Sequence, residues 1–303
     1  MRRVLVTGAE GFTGAHMRAE LEQHGYEVIG AVAASPAGPH EIALDITSPA
    51  QCRDAVEIVR PDYLVHLAAM SFVQHADVEA FYRVNVVGTM NLLRALDDAR
   101  VPLKKAVIAS SANVYGNSAS GTIDESCPPQ PVNHYAASKL AMEHMVRTLQ
   151  DRLPILLSRP FNYTGPGQEL HFLVPKIESH FARRAPFIEL GNLNVERDFS
   201  DVRMVVRAYR KLLECGCAGE TVNVCSGRAY TVGSIVDMLE RIHGFGIEVR
   251  TNPALVRQSD VRTLTGSLEK LRSLIGETEL IPLEETLRWM AQKTDSEGFA
   301  RSR

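Results

Sequence analysis

The chain has 303 residues, of which 45% are hydrophobic and 23% charged, enough apolar material to bury a large core in one big domain or two. Its formal net charge is -3 and its pI about 6.4, so there is no basic field to hold nucleic acid or an anionic membrane surface, and any phosphate must be gripped locally. No apolar run approaches the roughly 20 residues that span a bilayer, and the opening MRRVLVTG leads into a short strand rather than a secretion signal, which points to the cytoplasm. Five cysteines, at 52, 127, 215, 217 and 225, form no pair of CxxC knuckles and read as reduced, packed thiols, with no metal site expected.

The predicted elements alternate. Residues 4–7 read as a strand, 13–24 as a helix closed by Gly25, and 27–32 as a second strand. A helix follows near 50–59, a strand at 63–67, a long helix through 85–99, and a strand at 104–109. Strands alternating with helices imply right-handed crossovers, hence an α/β fold with a doubly wound parallel sheet, of the Rossmann type, with helices on both faces. A further helix is expected through 135–149. From Pro160 the rhythm breaks into the loop RPFNYTGPGQ, a helix near 174–184 and short elements, which suits a smaller α/β C-terminal lobe over a ligand; TDSEGFARSR at the end reads as a frayed tail. The expected division is a dinucleotide-binding domain over 1–163, with a returning segment near 198–228, and a substrate lobe built from 164–197 and 229–295.

Gly8, Gly11 and Gly14 follow the first strand and open a helix, giving a tight turn, close backbone approach to a pyrophosphate and close helix packing. An NAD site usually places an acid after the second strand, but 30–38 reads GAVAASPAG. Ser35 and the loop amides can instead accept a 2'-phosphate, although no arginine stands there to clamp it; the reading leans to NADP(H) over NAD(H). Asp45 is placed either on the adenine edge or as a loop cap.

Tyr135 and Lys139, at i and i+4, share one helix face, and Ser111 follows a buried strand at the carboxyl edge of the sheet, where ligands of open sheets bind. Ser110 is its immediate rival. A phenol near pKa 10 is a poor acid until a cation sits beside it, which gives the lysine its purpose. Asn85, in NVVGTMNLL, joins this group.

These motifs, with HLAA at 66–69, SSANVYG at 110–116, YAASK at 135–139 and RPFNYTGPGQ at 159–168, make the whole chain resemble the extended short-chain dehydrogenase/reductases that act on nucleotide sugars. The resemblance implies catalysis by Ser111, Tyr135 and Lys139. It implies coenzyme contacts at Gly8, Gly11, Phe12, Thr13, Gly14, Ser35, Asp45, Ile46, Leu67, Ala68, Ala69 and Asn85, besides Tyr135 and Lys139. LGNLNVERDFSDVR at 190–203 and VRQSDVRTLTGSLEKL at 256–271 are similar to the branch acting on GDP-mannose and GDP-4-keto-6-deoxymannose. That similarity implies a GDP-sugar partner held by Asn113, Asn162, Val174, Asn192, Arg197, Arg257 and Asp260, with Arg257 and Arg197 on the diphosphate and Asp260 on a ribose hydroxyl.

A 4,6-dehydratase needs a carboxylate shortly after its catalytic hydroxyl, where this chain has Ala112 and Asn113, so dehydration is disfavoured. What remains is reduction of a C4 ketone to a 6-deoxyhexose still carried on GDP, such as GDP-rhamnose or its C4 epimer. A nucleotide-sugar 4-epimerase with tightly held NAD is the alternative, weighed down by the missing acid after the second strand. A 3,5-epimerase/reductase would draw on Cys127, His134 or His171, none in a recognisable pair, and a non-catalytic dinucleotide-binding protein would be expected to lack Tyr135 or Lys139. The helices at 85–99 and 135–149 carry apolar residues on more than one face, as a helix buried on both sides needs; the resemblance implies a homodimer through this pair, with burial within one subunit the alternative.

Overall fold

The computed structural model describes residues 2–72, 77–116, 121–255 and 263–301, with side chains to residue 294. Arg257 and Asp260 therefore lie outside the described residues.

The first layer is laid down by strands β1 (Arg2–Thr7), β2 (Tyr26–Val32), β3 (Glu41–Ala43), β4 (Tyr63–His66) and β5 (Lys105–Ala109), interleaved with helices α1 (Phe12–Gln23), α2 (Pro49–Val59), α3 (Val78–Tyr82) and α4 (Thr89–Asp98). After the two-residue β6 (Thr122–Ile123) come α5 (His134–Arg147), β7 (Ile155–Pro160), β8 (Asn162–Thr164), α6 (Leu173–Ala182), β9 (Phe187–Leu190), β10 (Glu196–Asp201), α7 (Val202–Glu214) and β11 (Thr221–Val224). The remainder is β12 (Ala229–Thr231), α8 (Val232–His243), β13 (Glu248–Thr251), β14 (Thr263–Gly266), α9 (Glu269–Ile275) and α10 (Leu283–Arg301).

Seven strands make one parallel sheet in the order β11-β7-β5-β4-β1-β2-β3. Strand order reverses between β1 and β4, so a crevice opens at their carboxyl ends, the place where open α/β sheets bind ligands. Both faces of the sheet are apolar and each is covered: Val4, Val6, Val65 and Val107 pack with α1 and α7 residues on one side, and Leu5, Leu64, Ala106 and Ile108 with α2, α4 and α5 residues on the other. A third core, built from α6, α8 and α10 with β9 and β10, holds Ile177, Phe181, Ile235, Leu239 and Leu287 apart from the large sheet.

Local sequence explains the element starts. Ser48 accepts from the amide of Gln51 and Pro49 takes the first turn of α2; Asn133 accepts from Ala136 at the start of α5; Asp201 accepts from Arg203 at the start of α7. Three expectations need correction. The helix expected over 85–99 begins earlier, at Val78, and passes through a π-helical turn at Arg83–Gly88 before α4. The final segment is not a frayed tail, since α10 carries the backbone to Arg301. The cysteines are not all reduced: Cys215 and Cys217 are joined, because the turn leaving α7 folds over Gly216 and brings their Cα atoms to 5.4 Å, while Cys52, Cys127 and Cys225 stay free.

Candidate active site

The glycine loop is shaped by steric exclusion. Gly8 leaves β1 with φ +67, and a Cβ there would lie 2.9 Å from the Ala68 amide nitrogen after β4. A Cβ on Gly14 would stand 2.1 Å from the Gly8 carbonyl oxygen. Backbone thus crosses backbone at the switch point, and α1 starts after Gly11 with no side chain capping its first amides. Uncapped amides at a helix start accept a phosphate, so the cradle fits a pyrophosphate. Phe12 and Thr13 both meet Tyr163: Phe12 stacks with its ring, and the Thr13 and Tyr163 hydroxyls lie 2.8 Å apart.

Loop 67–69 is positioned by a buried relay. Thr89 donates its hydroxyl to the Asn85 carbonyl, so His66 Nε2–H donates to Thr89 Oγ1 at 2.9 Å and His66 Nδ1 accepts from Thr7 at 2.7 Å. The Thr7 oxygen in turn accepts from the amides of Leu67 and Ala68. Burial, aided by the Lys139 charge, pushes His66 down to about 3 and keeps it neutral. Asn85 acts in the same frame: its side chain accepts from the Met70 amide and donates to the Met70 carbonyl and Ser138 hydroxyl, tying the loop after β4 to α5. These bonds commit its amide to protein, so its contribution to a coenzyme site is to hold the walls.

Tyr135 and Lys139 rise from the first turns of α5 and are buried. Burial pushes the Tyr135 phenol up to about 12, while the Ser111 hydroxyl works against the rise. Ser111 also accepts from the amide and the side chain of Asn113, each at 3.2 Å. Lys139 Nζ donates to the Ala109 carbonyl at 2.7 Å, and burial, opposed by Glu143, lowers its pKa to about 8. The ammonium therefore sits against the end of β5, one turn along α5 from the phenol.

A residue that sequence reasoning missed gives the two serines different surroundings. Ser110 donates to Glu143 Oε1 at 2.6 Å, and Arg159 forks onto both oxygens of the same carboxylate at 2.8 and 2.7 Å. Arg147 adds a contact at 3.1 Å, and Arg159 also lies over the Tyr115 ring. Burial raises the Glu143 pKa, but Arg159, Ser110 and Arg147 together overcome it and hold the carboxyl below the ordinary range. Ser110 is thus bound into a buried ion pair, leaving Ser111 beside Tyr135. Two signals pointed here: a carboxylate one turn beyond Lys139 on the same helix face, and a lone arginine in the apolar strand ILLSRP.

Other expected site residues are spread about the second lobe. Val174 is buried in the third core. Asn162 donates to the Asp198 carbonyl, Asn192 accepts from the Asn194 amide, and Arg197 donates to the Glu196 carbonyl. The aspartate of RDF, Asp198, is structural: it accepts from Ser226, Gly227 and Gly266 and joins β10 to its neighbours. His171 pairs with Glu169 and meets the Phe72 ring edge-on, His134 contacts Tyr82, and Cys127 packs against the first core, so the three are not gathered into one group. Among the described residues there is no cluster of histidine, cysteine and acidic side chains able to hold a metal.

Around the end of β2, Asp45 accepts from the amide and hydroxyl of Thr47, the loop-cap arrangement, and Ile46 packs against Gly88. Ser35 is exposed. Two of the loop amides near Ser35 are occupied: Ala33 donates to Glu10 and Ala37 to Glu41.

Residues 4–225 match the NAD dependent epimerase/dehydratase family. The GDP-6-deoxy-D-talose 4-dehydrogenase of Aggregatibacter actinomycetemcomitans is 38% identical over 279 residues, covering 90% of this chain and 91% of its own. The GDP-6-deoxy-D-mannose reductase of Pseudomonas aeruginosa is 34% identical over 302 residues, 95% of either chain. The structure of RMD from Pseudomonas aeruginosa complexed with NADPH shares 32% identity and a TM-score of 0.86 over 98% of this chain and 100% of that one.

Proposed function

The chain belongs to the NAD dependent epimerase/dehydratase family, the extended short-chain dehydrogenase/reductases, and we propose that it reduces the C4 ketone of a GDP-4-keto-6-deoxyhexose. The 6-deoxymannose and 6-deoxytalose named in its two relatives differ in configuration at C4, so the relatives span the two alcohols such a reduction can form. GDP-rhamnose is the first and its C4 epimer the second.

One observation carries the choice of reaction. The position beside Ser111 is held by Asn113, and the nearby carboxylate of Glu143 is locked under Arg159. An amide cannot exchange the C5 proton and a buried, forked carboxylate is not available to do so, which leaves hydride chemistry rather than dehydration.

The site residues divide the work as follows. Gly8, Gly11 and Gly14, with the first amides of α1, receive the pyrophosphate, and Leu67, Ala68 and Ala69 line the crevice floor. Bound there, the reduced nicotinamide supplies the hydride. Ser111 donates to the C4 oxygen and orients it. Tyr135 gives that oxygen its proton as negative charge develops, and the Lys139 ammonium stabilises the resulting tyrosinate. Arg197, Arg257 and Asp260 hold the GDP moiety, with Asn113, Asn162, Val174 and Asn192 around the sugar. Residues 1–163 with 198–228 form the coenzyme unit and 164–197 with 229–295 the substrate unit. The expected homodimer would join through the helices that carry Val87 and Met145, which are 52% and 39% exposed. No helix among the described residues is long and apolar enough to cross a membrane.

A nucleotide-sugar 4-epimerase uses the same three side chains, and the carboxylate that Glu10 brings to the end of β2 favours this second reading over what sequence alone offered it. The deciding experiment incubates purified protein with GDP-4-keto-6-deoxymannose and NADH or NADPH, follows coenzyme absorbance, and assigns the sugar by proton NMR, with UDP-hexoses in parallel. A new C4 alcohol formed mole for mole with oxidised coenzyme is expected. Interconversion of GDP-hexoses without net coenzyme consumption would replace the reductase reading with the epimerase.

A further inference from the structure

Coenzyme preference is decided where the adenosine ribose lies, at the carboxyl end of the second strand of the sheet's first half. β2 ends at Val32, and residues 33–40 contain no carboxylate. A carboxylate is nonetheless present, delivered from the glycine loop. The Ala9 amide donates to the Ala31 carbonyl at 3.3 Å, stitching that loop to the end of β2. One residue further, exposed Glu10 lays its side chain across the gap, and Oε1 accepts from the Ala33 amide at 2.9 Å.

Resting on the coenzyme reading above, we propose that Glu10 is the residue that selects the coenzyme and that the chain takes NAD(H) in preference to NADP(H). A carboxylate is an acceptor only, and the ribose diol of NAD(H) offers it two donors. A 2'-phosphate offers no donor and brings negative charge of its own.

The surroundings reinforce the choice. Glu41 Oε2 accepts from the Ala37 amide at 2.7 Å, so a second carboxylate holds the far side of the same loop. Arg18, whose guanidinium runs beneath Gly30, is already paired with Glu41. A 2'-phosphate would thus face two carboxylates, two loop amides already donating to them, and an arginine already neutralised. Like charges in apposition cost more than a lost hydrogen bond.

The test measures binding, not turnover. Full-length protein, Glu10→Gln and Glu10→Ser are titrated with NADH and with NADPH by nicotinamide fluorescence, at low and high salt, with circular dichroism to confirm folding. Wild type is expected to bind NADH about tenfold or more tightly than NADPH, with the gap narrowing in high salt. Glu10→Gln keeps an acceptor for the Ala33 amide but removes the charge and the oxygen left for the diol, so NADPH binding should improve by about tenfold while NADH binding weakens. Equal or tighter NADPH binding by wild type, or an unchanged ratio in both variants, overturns the assignment of Glu10 while leaving the reductase reading intact. Binding of neither nucleotide overturns both.

Discussion

Replacing Arg159 by methionine isolates the buried ion pair beneath the catalytic helix. Arg159 makes two short bonds to Glu143, and the two side chains are 4% and 0% exposed, so water does not screen the pair. Removing one partner of such a pair costs about 3–5 kcal/mol, because the other is left charged and desolvated. Arg147 remains on Oε2, but its side chain is 36% exposed and an i,i+4 contact of that kind returns only about 0.5 kcal/mol. The expected loss at neutral pH is thus about 3–4 kcal/mol, read as a fall in the urea midpoint by circular dichroism. Glu143→Leu combined with Arg159→Met should recover much of it, since a matched apolar pair is close to neutral in such a site. The pH dependence has a definite sign. In wild type the Glu143 carboxyl is held low, so its contribution is complete above the unfolded-state pKa of about 4.3 and is lost as pH falls through the lower folded value. Without Arg159, burial dominates and pushes the carboxyl up; protonation then relieves the variant, and its deficit should shrink as pH falls from neutral toward the unfolded-state pKa of about 4.3. A loss below about 1 kcal/mol at neutral pH, or a double variant no more stable than Arg159→Met, would refute the reasoning.

Tyr135→Phe should lower kcat about 10²–10⁴-fold while coenzyme binding, measured by fluorescence, stays close to wild type; unchanged turnover would remove the phenol from the mechanism. Because Lys139 titrates at about 8, ketone reduction should be constant below that pH and decline above it, as the ammonium that stabilises tyrosinate is lost; a profile flat to pH 10 would contradict this. Gly14→Ala places its Cβ 2.1 Å from the Gly8 carbonyl oxygen, so coenzyme binding should weaken and thermal stability drop, and normal binding with normal stability would show that the crossing can relax. On the proposed function, Arg257→Ala should raise KM for the GDP-sugar about 10–100-fold with kcat little changed, and an unchanged KM would take Arg257 out of the proposed diphosphate site.

Selection between neighbouring groups is the recurring theme of the site. Ser110 and Ser111 are chemically identical and adjacent, yet one is tied to Glu143 and the other left beside Tyr135. The same holds at the end of β2, where Glu10 and Glu41 take the amides of Ala33 and Ala37. In both places a second element fills the bonding capacity of one candidate and so defines the other.

Local spacing determined a great deal unaided. The period-3.6 and strand patterns located β1, α1, β2, α2, β4 and β5 to within a few residues, because each buries its own apolar face against the sheet. Tyr135 and Lys139 were legible as a pair because four residues along a helix return to one side, and the glycine spacing was legible because only glycine tolerates the backbone crossing that Gly8 and Gly14 make. What tertiary structure alone decided was every relationship between groups distant in the chain: Arg159 meets Glu143 across 16 residues, Ser110 meets it across 33, and Glu10 reaches Ala33 across 23. The Cys215–Cys217 link likewise depends on a turn that composition does not announce. Periodicity reports which face of an element is buried, whereas partner choice depends on where sheet order and crossovers set those faces down, and that information is spread over the whole chain.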